Sequence, residues 1–255
     1  VYDAKRAGFS KVVFIIRKEN EDYFRTHIIN KYKGIDIVLA FQELDYIPCD
    51  VTLPEGRVKM LGTGHAVMQA QKYLEGKKGK VLVLNGDVPL LRPETLNRLL
   101  NKSIENKECA TLLTAIYDNP TGYGRIVRDE GGNIEAIVEE KDTTEEQKQI
   151  KEINAGIYCF DIEALLDALK EIKPNNAQGE YYITDVIEIM NSKGLKTGAV
   201  IVEDNTEILG VNDRIQLEML TKVLQMRINT EHMKKGVTIE DIFFSKSDEL
   251  NSTNK

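Results

Sequence analysis

The chain has 255 residues, 42% hydrophobic and 29% charged, with a formal net charge of -7 and a pI near 5.2. That length and apolar content suffice for a sizeable core and exclude a disordered chain. The acidic balance excludes non-specific binding to a nucleic-acid backbone, while a local cationic pocket for one small phosphate ligand remains compatible with it. Taken in chain order, Val1 to Ala7 has helical character and precedes the first strand, so an opening strand ahead of it is expected to be missing. Lys11 to Ile16 ("KVVFII") and Ile35 to Phe41 ("IDIVLAF") are β-branched apolar runs of strand length, and the polar stretch between them sets Tyr23, Phe24, Ile28 and Ile29 at helical spacing. This is a β-α-β rhythm. Gln42 to Met60 carries Pro48 and Pro54 without periodicity and predicts a long surface loop.

Ala66 to Leu74 predicts a short helix, Val81 to Leu84 a fully apolar strand buried on both faces, and Arg92 to Asn106 a helix with Pro93 in its first turn. Strands alternating with helices in this way imply a mostly parallel, doubly wound sheet. The pattern then changes: Cys109 to Tyr117, Arg125 to Arg128, Ile134 to Glu139 and Ile153 to Phe160 are strands with few helices between them, which predicts an antiparallel or mixed region. Asp142 to Lys151 is an exposed turn or short helix. Ile162 to Leu169 and Tyr182 to Met190 predict helices, Thr197 to Val202 a strand, and Asp213 to Met233 a long amphipathic helix. From Ser245 the chain is polar and expected to fray.

No run approaches the roughly 18 to 20 apolar residues of a membrane helix and no leader pattern opens the chain, so a cytoplasmic protein without membrane or nucleic-acid partners is expected. Cys49, Cys109 and Cys159 lie too far apart for a disulfide framework or a zinc site, and His27, His65 and His232 are equally scattered, with no nucleophile turn to complete a hydrolytic triad.

Ligands of open parallel sheets bind at the carboxyl ends of the strands, where loop amides and helix N-termini converge. In "KVLVLNGDVPLL" Asp87 stands just past such an end, and a carboxylate there suits a hard divalent cation shared with substrate phosphates. A turn or helix cap before Pro89 is the plainer alternative. "GTGH", Gly62 to His65, is a glycine pair opening a helix, whose free amides suit a nucleobase or phosphate, or a plain loop. "TGYGRI" at 121 to 126 reads as a turn into a strand, or as a ligand loop. Glu139 and Asn154 end up on successive strands, where a polar pair can hold sugar hydroxyls or simply finish a strand. Asn212 precedes the last long helix, where an N-cap is its bland role.

The motifs "LGTGHAV", "GDVPLL", "PTGYGRIVR", "IVEEKD", "EINAGIYCF", "NNAQGEYYITDVIEI", "LGVNDR" and "RINTEHMKKGVT" occur in one order between about Leu61 and Val237, more than two-thirds of the chain. In that region the chain resembles the uridyltransferase domain of the bacterial bifunctional N-acetylglucosamine-1-phosphate uridyltransferase and glucosamine-1-phosphate acetyltransferase family. The resemblance implies a Rossmann-like α/β fold with an antiparallel sugar-binding extension, and transfer of a uridylyl group from UTP to N-acetylglucosamine 1-phosphate, giving the peptidoglycan precursor UDP-N-acetylglucosamine and pyrophosphate. It implies that Asp87 and Asn212 are magnesium ligands and carry the catalysis. Gly62 and Thr63, with Gln42 in "FQELD", match residues that contact uracil. Gly124, Glu139 and Asn154 match residues that hold the N-acetylglucosamine, with Tyr182 and Thr184 near its acetyl group and Gly86 beside the substrate. The family's "EINTGI" is here "EINAGI", so Ala155 removes one hydroxyl.

The family opens with a strand and a loop of the Leu-Ala-Ala-Gly-x-Gly-Thr-Arg type, which has no counterpart in residues 1 to 255. Residues 1 to about 60 are similar to another group of nucleotidyltransferases with a longer loop before "GTGHAV", which suggests a join near residues 60 to 67. The expected organisation is a nucleotidyltransferase domain over 1 to 232 and a tail over 233 to 255 without the family's acetyl-transferring β-helix; a monomer is expected. Three readings stand at this point: a uridyltransferase, a non-catalytic nucleotide-sugar-binding module or inactive fragment, and a relative that uses glucose 1-phosphate or dTTP, against which "EINAGIYCF" and "NNAQGEYYITD" argue.

Overall fold

The computed structural model describes residues 1–43 and 61–240; most of the expected loop before "LGTGHAV", with Cys49, and the polar tail from Ser245 lie outside the described residues. The chain divides into two compact units, Val1–Leu84 with Pro93–Glu203, and Asn85–Arg92 with Asp204–Lys255.

In the first unit a short helix α1 (Tyr2–Arg6) leads into β1 (Lys11–Ile16), which pairs in parallel with β2 (Asp36–Phe41) in the register Lys11 to Asp36 through Ile16 to Phe41. Parallel neighbours need a crossover. It is supplied by a 3-10 turn at Lys18–Asn20, α2 (Glu21–Phe24) and a π turn at Arg25–Ile29. Phe24 packs edge-on against Phe14 of β1 at 5.2 Å between ring centres, while Tyr23 stays outside and stacks on His27 at 4.5 Å. The single short helix expected next is two, α3 (Thr63–Met68) and α4 (Gln71–Leu74).

The larger sheet contains β3 (Lys80–Val83), β4 (Ala110–Ile116), β5 (Arg125–Arg128), β6 (Ile134–Val138), β7 (Glu152–Asp161) and β8 (Thr197–Ile201), in the order β6-β5-β7-β4-β8 with β3 also on β7. Parallel pairing joins β4 to β8, and antiparallel pairing joins β7 to β3, β4 and β5. The antiparallel region therefore reaches further than the alternation of strands and helices implied. An apolar run such as "VLVL" reports burial, not strand direction, and β3 is in fact half-buried along its length. The helices α5 (Pro93–Glu105), α6 (Ile162–Leu169) and α7 (Asp185–Ser192) complete this unit, with Leu112, Phe160, Leu165, Val186, Ile187 and Met190 in one buried cluster. Helix α7 starts at Asp185, three residues later than its apolar spacing suggests, and the backbone of Tyr181 and Ile183 is instead hydrogen-bonded to Leu61 and to the first turn of α3.

The second unit holds a turn region over 85–92, exposed at 85–87 with Leu90 buried, a 3-10 turn at Asn205–Ile208 and α8 (Arg214–Lys234). The Asp213 carboxylate caps α8 by accepting from the Gln216 amide at 2.7 Å, so the cap expected at Asn212 falls one residue later. Sequence spacing makes α8 amphipathic, but only Leu220 and Asn229 are buried, and Ile215, Leu217, Met219, Leu224, Met226 and Met233 are exposed. A stripe of at least partly covered residues runs through Gln216, Leu220, Val223, Arg227 and Thr230 and is largely polar, while the buried Asn229 lies on another side of the helix.

Candidate active site

In the first unit two glycines allow backbone to lie directly on backbone. Gly62, at φ +96°, precedes α3; a side chain there would place Cβ 2.7 Å from the Tyr181 carbonyl oxygen, and at Gly64 2.9 Å from the same atom. The Tyr181 amide donates to the Leu61 carbonyl at 2.7 Å, the Gly64 amide to the Tyr181 carbonyl at 2.8 Å, and the Ile183 amide to Thr63 Oγ1 at 3.2 Å. Of the amides expected to greet a ligand, that of Gly64 is therefore spent inside the protein. Gln42, just past the carboxyl end of β2, reaches this segment: its Nε2 donates to the Gly62 carbonyl at 3.4 Å and lies 3.4 Å from His65 Nδ1. Gln42, Gly62 and Thr63 are thus brought together. His65 is fully buried and shares Gln69 as a second neighbour, which fits a structural histidine.

A second cluster forms where β5, β6, β7 and α7 meet. Strand β7 carries two extra residues, Ala155 and Gly156, between the pairs Leu113 to Ile157 and Thr114 to Asn154. Gly156 takes φ +70° in this bulge and donates its amide to Asn154 Oδ1 at 3.1 Å. Bulges re-aim side chains. Here the bulge sets Asn154, whose backbone amide donates to the Gly124 carbonyl at 2.9 Å and whose Nδ2 donates to the buried Tyr158 hydroxyl at 2.7 Å. Gly124 has no room for a side chain: Cβ would sit 3.2 Å from Ile137, 3.4 Å from Glu139 Oε2 and 3.6 Å from Asn154 Cβ. Thr184, at the start of α7, donates its hydroxyl to Glu139 Oε1 at 3.2 Å. Gly124, Glu139, Asn154 and Thr184 therefore converge on one spot.

The electrostatics of this spot are acidic. Burial pushes the Glu139 carboxyl above its usual range, the Thr184 hydrogen bond opposes this, and the nearby Asp142 charge adds to it. Asp185 is pushed up to about 6 by burial and by the charges of Glu188, Glu139 and Asp142. A half-buried carboxylate with a single hydroxyl donor is suited to accept from further hydroxyl or amide N–H groups. Tyr182 is buried, accepts from Gln178 Nε2 at 2.9 Å, and has its phenol pushed up chiefly by burial. Sequence reasoning missed Asp185 and the pair Arg125–Glu140. Arg125 is 1% exposed and meets Glu140 at 2.7 Å, and Glu140 also accepts from the Gly122 amide at 3.1 Å. The signal was present, since "GYGR" and "VEEK" each carry one residue more than the ligand roles use.

In the second unit Gly86 and Asp87 occupy an exposed turn just past β3, and a side chain at Gly86 would meet open space. The Asp87 carbonyl accepts from the Val211 amide at 2.9 Å, which draws residues 209 to 212 alongside. A Cβ at Gly210 would stand 3.2 Å from Asp87 Oδ2 and 3.9 Å from Asn212 Nδ2. Asp87 and Asn212, remote in sequence, therefore both bring side-chain atoms, Oδ2 and Nδ2, to the space beside Gly210. The Asn212 side chain is released from capping by Asp213, and its backbone amide is held by Gln216 Oε1 at 2.6 Å. One carboxylate and one amide carbonyl are hard oxygen donors of the kind magnesium accepts while keeping other positions for water and phosphate oxygens. Among the described residues no three His, Cys, Asp or Glu side chains cluster as a complete metal cage.

Residues 2–213 match the nucleotidyl transferase family. The chain is 47% identical to the bifunctional protein GlmU of Acetivibrio thermocellus over 237 residues, 93% of this chain and 47% of that protein. It is 53% identical to the protein of the same name from Lactobacillus johnsonii over 230 residues, 90% of this chain and 48% of that one. The counterpart in Clostridium beijerinckii is 54% identical over 185 residues, 72% and 40% of the two chains. The chain thus spans about half the length of the curated relatives it matches. Two solved structures share the fold: a protein described as a glucose-1-phosphate thymidylyltransferase from Bacillus anthracis, in complex with a sucrose (TM-score 0.58, 16% identity, 96% of this chain and 85% of that one), and a UDP-glucose pyrophosphorylase complexed with UDP-glucose (TM-score 0.54, 19% identity, 75% and 73%). No helix among the described residues is long and apolar enough to cross a membrane.

Proposed function

The chain belongs to the nucleotidyl transferase family, and on that premise we propose that it transfers a uridylyl group from UTP to N-acetylglucosamine 1-phosphate in the cytoplasm. An oxygen of the sugar phosphate attacks the α-phosphorus of UTP in line, a new P–O bond forms, and pyrophosphate leaves. The nucleophile is already an anion at neutral pH, so no general base is required, and the absence of a hydrolytic triad from the sequence agrees with this. Holding two phosphates in line can supply up to ~7–11 kcal/mol of the barrier.

The roles fall to the residues as follows. Gln42, Gly62 and Thr63 hold the uracil. Glu139 accepts from sugar hydroxyls, Asn154 and the Gly124 backbone close the other side of the ring, and Tyr182 and Thr184 lie towards the acetyl group, with Gly86 beside the phosphates. Asp87 and Asn212 hold magnesium, which when bound neutralises the charge of the phosphates it touches. The single observation that supports this reading best is that the side chains of Asp87 and Asn212 reach the same space beside Gly210, with Asp87 Oδ2 3.2 Å and Asn212 Nδ2 3.9 Å from where its Cβ would be.

Acetyl transfer, which the sequence resemblance implies only for the family's β-helix, is not proposed for these residues. A pyrophosphate-release assay tests the proposal. Turnover should favour UTP with N-acetylglucosamine 1-phosphate over dTTP or glucose 1-phosphate. A preference for either alternative would overturn the substrate assignment, and binding of UDP-N-acetylglucosamine without turnover would make the chain a binding module.

A further inference from the structure

The second unit contains an arginine that the proposed reaction leaves unused. Arg227 lies on α8 with 20% of its side chain exposed. Its Nη1 donates to the Leu90 carbonyl at 2.7 Å, and its Nη2 donates to Asp204 Oδ2 at 3.0 Å and to Thr206 Oγ1 at 2.5 Å. Leu90 belongs to the turn that carries Asp87, and Asp204 and Thr206 to the segment that leads to Asn212. A guanidinium serves these acceptors from two separate nitrogens because its donors form a rigid planar fork, whereas an ammonium would have to reach all of them from a single nitrogen. The same two segments are tied again by the Arg92 amide, which donates to the buried Glu207 carboxylate at 3.0 Å, and by the Arg92 guanidinium, 2.8 Å from Asp204.

We propose, resting on the assignment of Asp87 and Asn212 to the metal, that Arg227 is a positioning residue for that pair. Asp87 itself is exposed in a turn, so the aim of its carboxylate depends on where the turn is anchored. One anchor is the Val211 amide on the Asp87 carbonyl, and the next along the chain is Arg227 on the Leu90 carbonyl. The slack is small, because Asp87 Oδ2 already lies 3.2 Å from where a Cβ at Gly210 would be. Releasing the Leu90 carbonyl lets the turn drift from residues 209 to 212, and the Asp87 and Asn212 side chains part. Groups that orient metal ligands from outside the coordination sphere typically set affinity by 10- to 100-fold.

The test measures Mn2+ binding to the full chain in the presence of UTP by water-proton relaxation, for the parent, Arg227→Met, Arg227→Lys and Asp87→Ala, with thermal unfolding in parallel. Arg227→Met should weaken Mn2+ binding about tenfold while leaving UTP affinity without metal unchanged. Arg227→Lys, which keeps the charge but gathers its donors on one nitrogen, should fall between it and the parent, and carries the test if Arg227→Met fails to fold. Parental Mn2+ affinity in both folded variants, with only a lowered Tm, would overturn the proposal. The Asp87→Ala arm separates the two levels: if it retains parental Mn2+ affinity, the metal assignment itself is wrong.

Discussion

Thr184 donates its hydroxyl to Glu139 Oε1 at 3.2 Å and so joins the start of α7 to the end of β6. That bond is what opposes the upward push of burial on the Glu139 carboxyl. Thr184→Val removes it at nearly constant volume, so the carboxyl should rise further. The ionised form is the one that accepts from the sugar, and it is lost as pH falls through the folded pKa. The acid limb of kcat/KM for the sugar phosphate should therefore move to higher pH, with KM raised and the UTP KM unchanged. An acid limb that stays in place would mean that the bond does not tune Glu139.

Asp185, pushed up to about 6 from 3.8, makes the opposite case. The folded state binds its proton more tightly than the unfolded state, so the stability linked to this group is present below the unfolded value and is lost as pH rises through about 6. Asp185→Asn should thus stabilise the protein at pH 8 by about 1 kcal/mol after allowance for solvent screening at a half-buried site. The gain should vanish below the unfolded value, and parallel Tm-against-pH curves for parent and variant would refute this.

Gly62 takes φ +96° against the Tyr181 carbonyl. Gly62→Ala adds strain of about 1–3 kcal/mol and forces the segments 61–64 and 181–183 apart. Chemical denaturation should show that loss, and the UTP KM should rise. A fully stable variant with parental KM would mean that the close approach is not maintained in solution.

Arg125 is buried and paired with Glu140, which also holds the Gly122 amide. Glu140→Ala leaves the buried guanidinium with one partner fewer, so the variant should unfold more readily than the parent. The sugar KM should rise with it, since Gly124 lies between the two. A stability change near zero would refute this.

Much of this was legible in the chain. The β-branched runs at 11 to 16 and 36 to 41 and the strand through Asn154 fold as their spacing predicts, because local preference and burial agree there. What could not be read depends on partners distant in sequence. The direction of β3 is set by β7, the aim of Asn154 by a two-residue bulge, and the polarity of the covered stripe of α8 by Asp204, which occupies Arg227. The plainer alternative for Asn212, a helix cap, is taken up by its neighbour Asp213 for a local reason, since Asp is an equally good cap one residue on. Asp185 escaped notice because its raised pKa comes from burial and charges on other elements, which spacing does not record.

The most direct test is pyrophosphate release from UTP and N-acetylglucosamine 1-phosphate across a magnesium titration, for the parent chain and Asp87→Ala. The account predicts magnesium-dependent turnover in the parent and a fall of at least about 10²–10³-fold in the variant, the scale of one lost electrostatic contact. A variant that turns over at the parental rate with the same magnesium dependence would contradict it.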